Sequence, residues 1–333
     1  MAESLDRQQR QRKWLSWPLA VLYKLIDDQA TSLAAMITYY GFVSLFPLLL
    51  LLVTCLGFAM TGDAALQQAV LHSALREFPI IGDQIGENVH SLHGTTAGAV
   101  VGVVGSIYGA LGVALATQNA MNKIWAVPRA DRPSLLAAYG RGLGLLAVLG
   151  AEVVVGTALS ALVTAVQTDR GGGVAAAVSA AAALGSVALN AVLLTLAYRV
   201  LTANRPPLRQ LWPGALTAAV LWEVLLAVGA YLVGHELRGA SATYGLFGIV
   251  LGLIGWLYLG ALILVLGAEI NAVRAHRLYP RSLLAPDPND RSLTPADRRA
   301  YAAYARTERQ KTYQTVQSEF SPPPTPRTGG TES

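Results

Sequence analysis

Between Arg238 and Glu269 the chain carries no charged residue. A run of ~20 apolar residues is long enough to cross the hydrocarbon core of a bilayer, so the stretch from Tyr244 to Asn271 constrains the fold before anything else does. Its glycines have helical spacing. Gly245, Gly248, Gly252 and Gly255 step by three, four and three, and the same face continues through Leu259, Leu262 and Leu266 to Glu269. Small residues on one face let membrane helices approach closely where lipid gives no hydrophobic drive for association. The pattern predicts a bundle helix with a smooth groove ending in a carboxylate.

The remainder of the chain suits that environment. Of 333 residues, 53% are hydrophobic and 14% charged, with a mean hydropathy of +0.43. Soluble domains carry about 25% charged residues. The single cysteine, Cys55, lies in an apolar run, which rules out an internal disulfide and a cysteine-based metal site. The first residues are polar or amphipathic and do not read as a signal peptide.

Six spans are expected, at about 34–60, 95–118, 143–165, 174–201, 213–234 and the Tyr244–Asn271 stretch. In the first, Pro47 removes a backbone donor. It is read either as a kink that shapes a cavity or as a packing bend. In the second, Gly98, Gly102, Gly105, Gly109 and Gly112 step four, three, four, three, and their face continues to Ala116, Asn119 and Lys123.

Outside the spans, Leu15, Leu19, Leu22 and Ile26 share a helical face, with Lys24, Asp27 and Asp28 off it. This segment is expected to lie in the membrane interface or to pack on the bundle's cytoplasmic rim. Residues 63–93 are too polar to span and are expected to form outer surface helices. His90, His93 and Glu87 lie there without an evident fourth ligand, so no metal or other cofactor is expected. The domain reading is therefore a cytoplasmic N-terminus with an interfacial helix (1–33), a six-span membrane domain (34–273) and a cytoplasmic basic region (274–333). In the last, Thr294, Pro295 and Asp297 open an exposed helix reaching about Gln317, followed by a disordered tail.

The basic residues alternate by side. Five lie from Arg7 to Lys24, four from Lys123 to Arg141, three from Arg199 to Arg209 and ten in the C-terminal region; only Arg76, Arg170 and Arg238 fall on the other side. The positive-inside bias then predicts an all-α polytopic bundle of six transmembrane helices with both termini cytoplasmic. The net charge of +5 resides in these loops, not in one patch with interleaved aromatics, so nucleic acid is not an expected partner.

Three stretches carry a family resemblance: AMITYYGFVSLFPLLLLL in the first span, QNAMNKIW after the second, and YGLFGIVLGLIGWLYLGALILVLGAEINAV in the sixth. With Ser44-Leu45-Phe46-Pro47, Trp256-Leu257-Tyr258 and Gly267-Ala268-Glu269-Asn271, the region from Leu22 to Arg277 resembles the YihY / virulence factor BrkB family. The resemblance implies a six-span protein of the bacterial inner membrane, linked with envelope integrity, with lipid transport suggested for some members. Some were once named ribonuclease BN, a name now thought wrong. The basic tail lies outside the resemblance.

Ionisable residues at lipid depth usually face the bundle interior and mark function. Glu152 and Glu223 each lie about ten residues into a span from the cytoplasmic side, ~15 Å deep at 1.5 Å per residue. Together with Asn190 they are the expected substrate or proton site, the alternatives being neutral acids bonded to neighbouring helices and, for Asn190, a hydrogen bond that only ties two helices together. Lys123 and Glu269 extend the two glycine faces, which are expected to pack together and form an ion pair. No Ser/His/Asp order, H-E-x-x-H or P-loop is present, so an enzyme, and a ribonuclease in particular, is not expected. The leading expectation is a transporter of lipid or an amphiphilic solute, with membrane lipids as partners. The alternative is a non-transporting envelope scaffold that binds envelope proteins or copies of itself.

Overall fold

The computed structural model describes residues 6, 9, 12–59, 96–169, 173–235, 237–283 and 293–320. Among them every regular element is helical. In chain order these are α1 (Lys13–Asp27), α2 (Ala30–Ala59), α3 (Thr96–Ile124), a single 3-10 turn (Arg129–Asp131), α4 (Leu135–Asp169), α5 (Gly173–Leu201), α6 (Leu208–His235), α7 (Leu237–Ala275) and α8 (Pro295–Thr307). The outer segment 63–93, with His90, His93 and Glu87, and the tail beyond residue 320 lie outside the described residues.

Three described stretches are long and apolar enough to cross a membrane: Ala180–Leu201, Leu208–Gly229 and Val250–Ala275, the last with a mean hydropathy of 2.3. Shorter apolar stretches occupy Ala30–Leu45 and Leu135–Val148. Helix α7 begins at Leu237, ahead of the expected start at Tyr244, and reaches 39 residues.

The six long helices close a circuit. Helix α2 packs on α3, α3 on α4, α4 on α5, α5 on α6, α6 on α7, and α7 returns to α2 while also touching α3 and α1. The main buried cluster draws on Ile37, Met121, Ile124, Trp125, Tyr198, Leu201, Leu211 and Val265. These come from the starts of α2 and α6 and the ends of α3, α5 and α7, so the tightest packing sits at one end of the bundle. Farther along the same helices, large apolar side chains face outward: Tyr108 is 70% exposed, Leu184 72% and Phe247 68%. Water penalises such a surface and a hydrocarbon solvent does not.

The α3 glycines do pack against a neighbouring helix, but the helix is α2, not α7. A Cβ on Gly105 would lie 2.8 Å from the Pro47 ring, one on Gly109 2.5 Å from the Ser44 Cα, and one on Gly112 against the Tyr40 ring. The residue order is antiparallel, and Pro47 fits the notch at Gly105. Gly98 and Gly102 lie in α3, though their surroundings are outside the described residues. On α7, Gly248 and Gly255 face outward, and a Cβ on Gly255 would meet nothing within 4 Å. Gly252 is half-buried, and the surroundings of Gly245 are outside the described residues. The expected union of the two glycine faces is therefore not formed, because α2 occupies the α3 groove.

The close contact of α7 is made farther along, with α6. Cβ atoms on Gly267 would lie 2.7 Å from the Gly214 carbonyl oxygen, and one on Gly260 2.8 Å from the Trp222 ring. The Asn271 amide ties the same crossing. Its Nδ2 donates to the Leu211 carbonyl (2.7 Å) and its Oδ1 accepts from the Gly214 N–H (2.7 Å).

Helix α1 lies across the packed end, touching α7 and α2. It turns Ser16, Ala20, Val21 and Lys24 inward, with Asp28 just beyond its last turn, and leaves Trp14, Leu15, Leu22 and Ile26 exposed. Its outward face is thus the apolar one, which suits a helix packed on the rim and resting in the interface at once. Helix α8 opens on a complete capping box between Thr294 and Asp297. It ends at Thr307, short of the expected Gln317, where the Arg309 carbonyl accepts from the Ala130 N–H. Its inner face buries Ala296, Asp297 and Ala300.

Candidate functional site

A polar centre is built on α5 and α6, within two of the stretches long and apolar enough to cross a membrane. Ser186 and Asn190 are one helical turn apart on α5, so both side chains leave the same face. Glu223 of α6 receives both: the Ser186 hydroxyl donates to Glu223 Oε1, and Asn190 Nδ2 donates to the same oxygen at 3.0 Å. Asn190 is buried while Glu223 is half-buried. The carboxylate is therefore held by two donors and still reaches the surface. Of the expected trio, Asn190 and Glu223 meet. Glu152 is in α4, and its side chain lies outside the described residues.

Glu269 is fully buried, and its cationic partner is Lys24 at 3.4 Å, not Lys123. The expected Lys123–Glu269 pair is not formed, because α1 brings its own lysine to the end of α7. Lys24 also pairs with Asp28, one turn ahead of it, and donates to the Ile124 carbonyl at 3.1 Å. Burial alone would depress the Lys24 pKa; the Glu269 and Asp28 carboxylates outweigh it and leave the ammonium above its ordinary range. One buried ammonium thereby links α1, α3 and α7.

A second buried cation anchors the C-terminal helix. Arg281 is 1% exposed; its Nε donates to Asp297 Oδ1 at 2.8 Å and its Nη1 to Asp27 Oδ2 at 2.6 Å. The Tyr23 and Tyr301 rings lie 5.5 and 5.7 Å from its guanidinium carbon. Planar bidentate pairing and ring stacking are the tasks for which guanidinium is suited. Tyr23 completes the joint by donating to the Leu283 carbonyl at 2.8 Å.

Sequence reasoning missed Lys24, Asp28, Asn271, Arg281 and Asp297 as sites. The signal for the first two was their separation of four residues on the amphipathic segment. For Asp297 it was the cap itself, whose carboxylate serves both the Thr294 N–H and Arg281.

The comparisons with known proteins bear chiefly on residues 21–291. The family model described as virulence factor BrkB matches residues 21–291. A UPF0761 membrane protein of Cronobacter sakazakii is 28% identical over 263 residues, covering 77% of this chain and 88% of that protein. A UPF0761 membrane protein of Pseudoalteromonas translucida is 26% identical over 268 residues, covering 78% and 86%. The ribonuclease-like protein YfkH of Bacillus subtilis is 34% identical over 92 residues, 28% of this chain and 31% of that one. No solved structure matches the chain.

Proposed function

The chain belongs to the virulence factor BrkB family, and from that premise we propose that it crosses the bacterial inner membrane six times and moves a lipid or amphiphilic solute without altering it chemically. In this reading both ends lie in the cytoplasm, the orientation that the distribution of its basic residues favours. Each of α2 to α7 has at least 28 residues, or ~42 Å at 1.5 Å per residue, against a hydrocarbon core of ~30 Å.

The observation that carries this reading is the Glu223 carboxylate, hydrogen-bonded by Asn190 and Ser186 and half-open to the bundle surface. It lies ten residues beyond Pro213, ~15 Å farther along α6. A structural acid would be expected to bury itself fully against its donors. One that stays partly open can contact the polar head of an amphiphile or exchange a proton. Glu152, expected at matching depth along α4, is proposed as the second acid of the site. Purified protein in vesicles, loaded with a fluorescent phospholipid and then with a pH dye, tests the reading. Transport that falls in Glu223→Gln and Glu152→Gln supports it; wild-type flux in both removes the site.

A scaffold is the second reading, favoured by α8, which Arg281 fixes in place beside α1. Site-specific crosslinking from α8 that captures one envelope partner, in a protein that moves neither lipid nor protons, would favour it.

A further inference from the structure

Beneath α8 lies an open pocket of about 380 Å³ at the packed end of the bundle. Its polar lining consists chiefly of Lys24, Trp125, His276, Arg299, Tyr304 and Arg306, together with Asn204, and among the described residues no carboxylate lines it. Two Schellman turns frame it. The Ala126 and Val127 N–H groups return to the Lys123 and Asn122 carbonyls at the end of α3, and those of Arg277 and Leu278 to Arg274 and Val273 at the end of α7. The position in the left-handed region is taken by Ala126 (φ 49°) and Arg277 (φ 52°), neither of them glycine. These turns set Trp125 and His276 edge to face, 5.5 Å apart.

Two helix C-termini point here, and their partial negative charge opposes an anion. That charge is already answered: Lys24 donates to the Ile124 carbonyl and Arg299 Nη2 to the Arg277 carbonyl at 2.7 Å. Donors remain. Trp125 is 3% exposed, and its buried Nε1–H has no hydrogen-bond partner among the described residues. Nor does the buried Tyr304 hydroxyl. Arg306 binds the Ala302 carbonyl through Nε alone, leaving the outer edge of its fork. An indole N–H can only donate, so its natural complement is an acceptor-rich ligand.

We propose that this pocket binds a phosphate group, carried by a membrane lipid headgroup or by a soluble phosphate, with Arg299 and Arg306 as the charged clamp and Trp125 Nε1–H and the Tyr304 hydroxyl as the inner donors. The volume admits more than the bare ion. The position suits a headgroup, since basic pockets at the cytoplasmic ends of membrane helices recognise lipid phosphates. The site shares no residue with the Glu223 centre, so either proposal can fail alone.

The test uses the full chain in neutral detergent, desalted into phosphate-free buffer. Inorganic phosphate is titrated calorimetrically. Retention of phosphatidylglycerol over phosphatidylcholine is measured in parallel by native mass spectrometry. Binding of free phosphate identifies a soluble source, and selective retention of phosphatidylglycerol alone identifies a lipid source. In either case Arg299→Gln with Arg306→Gln weakens binding at least about tenfold, as expected for charge-assisted bonds. Trp125→Phe, which keeps the ring face and loses the donor, weakens it severalfold and serves if the double variant does not fold. Absence of both phosphate and phosphatidylglycerol binding, or binding unchanged in these variants, overturns the proposal.

Discussion

The Lys24 ammonium and the Glu269 carboxylate meet 3.4 Å apart with neither exposed to solvent, joining a helix on the bundle's rim to its longest member. Asp28 shares the same ammonium, so two buried acids depend on one cation. Removing a partner from a buried pair costs about 3–5 kcal/mol, because a charge is left uncompensated. Lys24→Met should lose that much in thermal unfolding of the detergent-solubilised protein. Lys24→Met with Glu269→Gln should recover part of it, whereas Lys123→Met should show no coupling to Glu269→Gln in a double-mutant cycle.

The alkaline limb of stability follows from the same lysine. Its folded pKa lies above the ordinary 10.5, so the stabilisation it brings is complete below that value and is lost as pH rises through the folded pKa. Tyr304 acts in the same direction: burial, then the nearby Asp28, Asp27 and Glu269 charges, raise its hydroxyl above 10.0. Melting temperature plotted against pH should therefore show no loss from these two groups between pH 7 and 10.0 and a decline beyond 10.5. Lys24→Met should flatten that decline.

The glycines divide into those a methyl group would disrupt and those it would not. Gly214→Ala drives a Cβ into the Gly267 carbonyl, where backbone meets backbone and neither can turn aside. The expected loss is about 1–3 kcal/mol, as for other overpacked cores. Gly255→Ala meets nothing within 4 Å and gains helix propensity, so it should be neutral or stabilising by up to about 1 kcal/mol. Membrane-fraction levels and thermal unfolding of the two variants check the contrast.

At the turn ending α3 the opposite substitution should help. Ala126 holds φ at 49°, where a Cβ costs about 1–2 kcal/mol. Ala126→Gly should raise stability by up to about 1 kcal/mol after the added flexibility of the unfolded chain is counted. An unchanged or lowered melting temperature would contradict this.

The α8 joint should fail as a unit. Arg281→Met leaves Asp297 fully buried without its guanidinium partner, although the Thr294 and Ser282 N–H groups still donate to it. Limited trypsin digestion should then cut within 293–320 far faster than in the wild type, while α2 to α7 remain protected.

Much of the helical architecture was legible, since long apolar runs bounded by basic loops leave little choice of fold. The Thr294 cap announced α8 for the same local reason. Partner choice was not legible. The α3 glycines advertised a groove, but glycine spacing says only that a close approach is open; the shape of Pro47, Ser44 and Tyr40 decided that α2 would fill it. Glu269 likewise announced a buried acid without its cation. A lysine more than two hundred positions earlier answers it, and the amphipathic pattern placed that lysine only off the apolar face. Asn190 and Glu223 were legible as unusual residues at lipid depth. The second donor to Glu223, Ser186, was not, because a lone serine in an apolar helix has no distinguishing pattern.

Helices α1 and α8 are pinned by Lys24 and Arg281 across the same end of the bundle, and Asn271 staples α6 to α7 there. Any movement that preserves these three fastenings has its fulcrum at that end. Displacement then grows along the helices with distance from the fulcrum, so a few degrees of tilt that barely alter the surroundings of Lys24 would carry the far tips apart by several times as much.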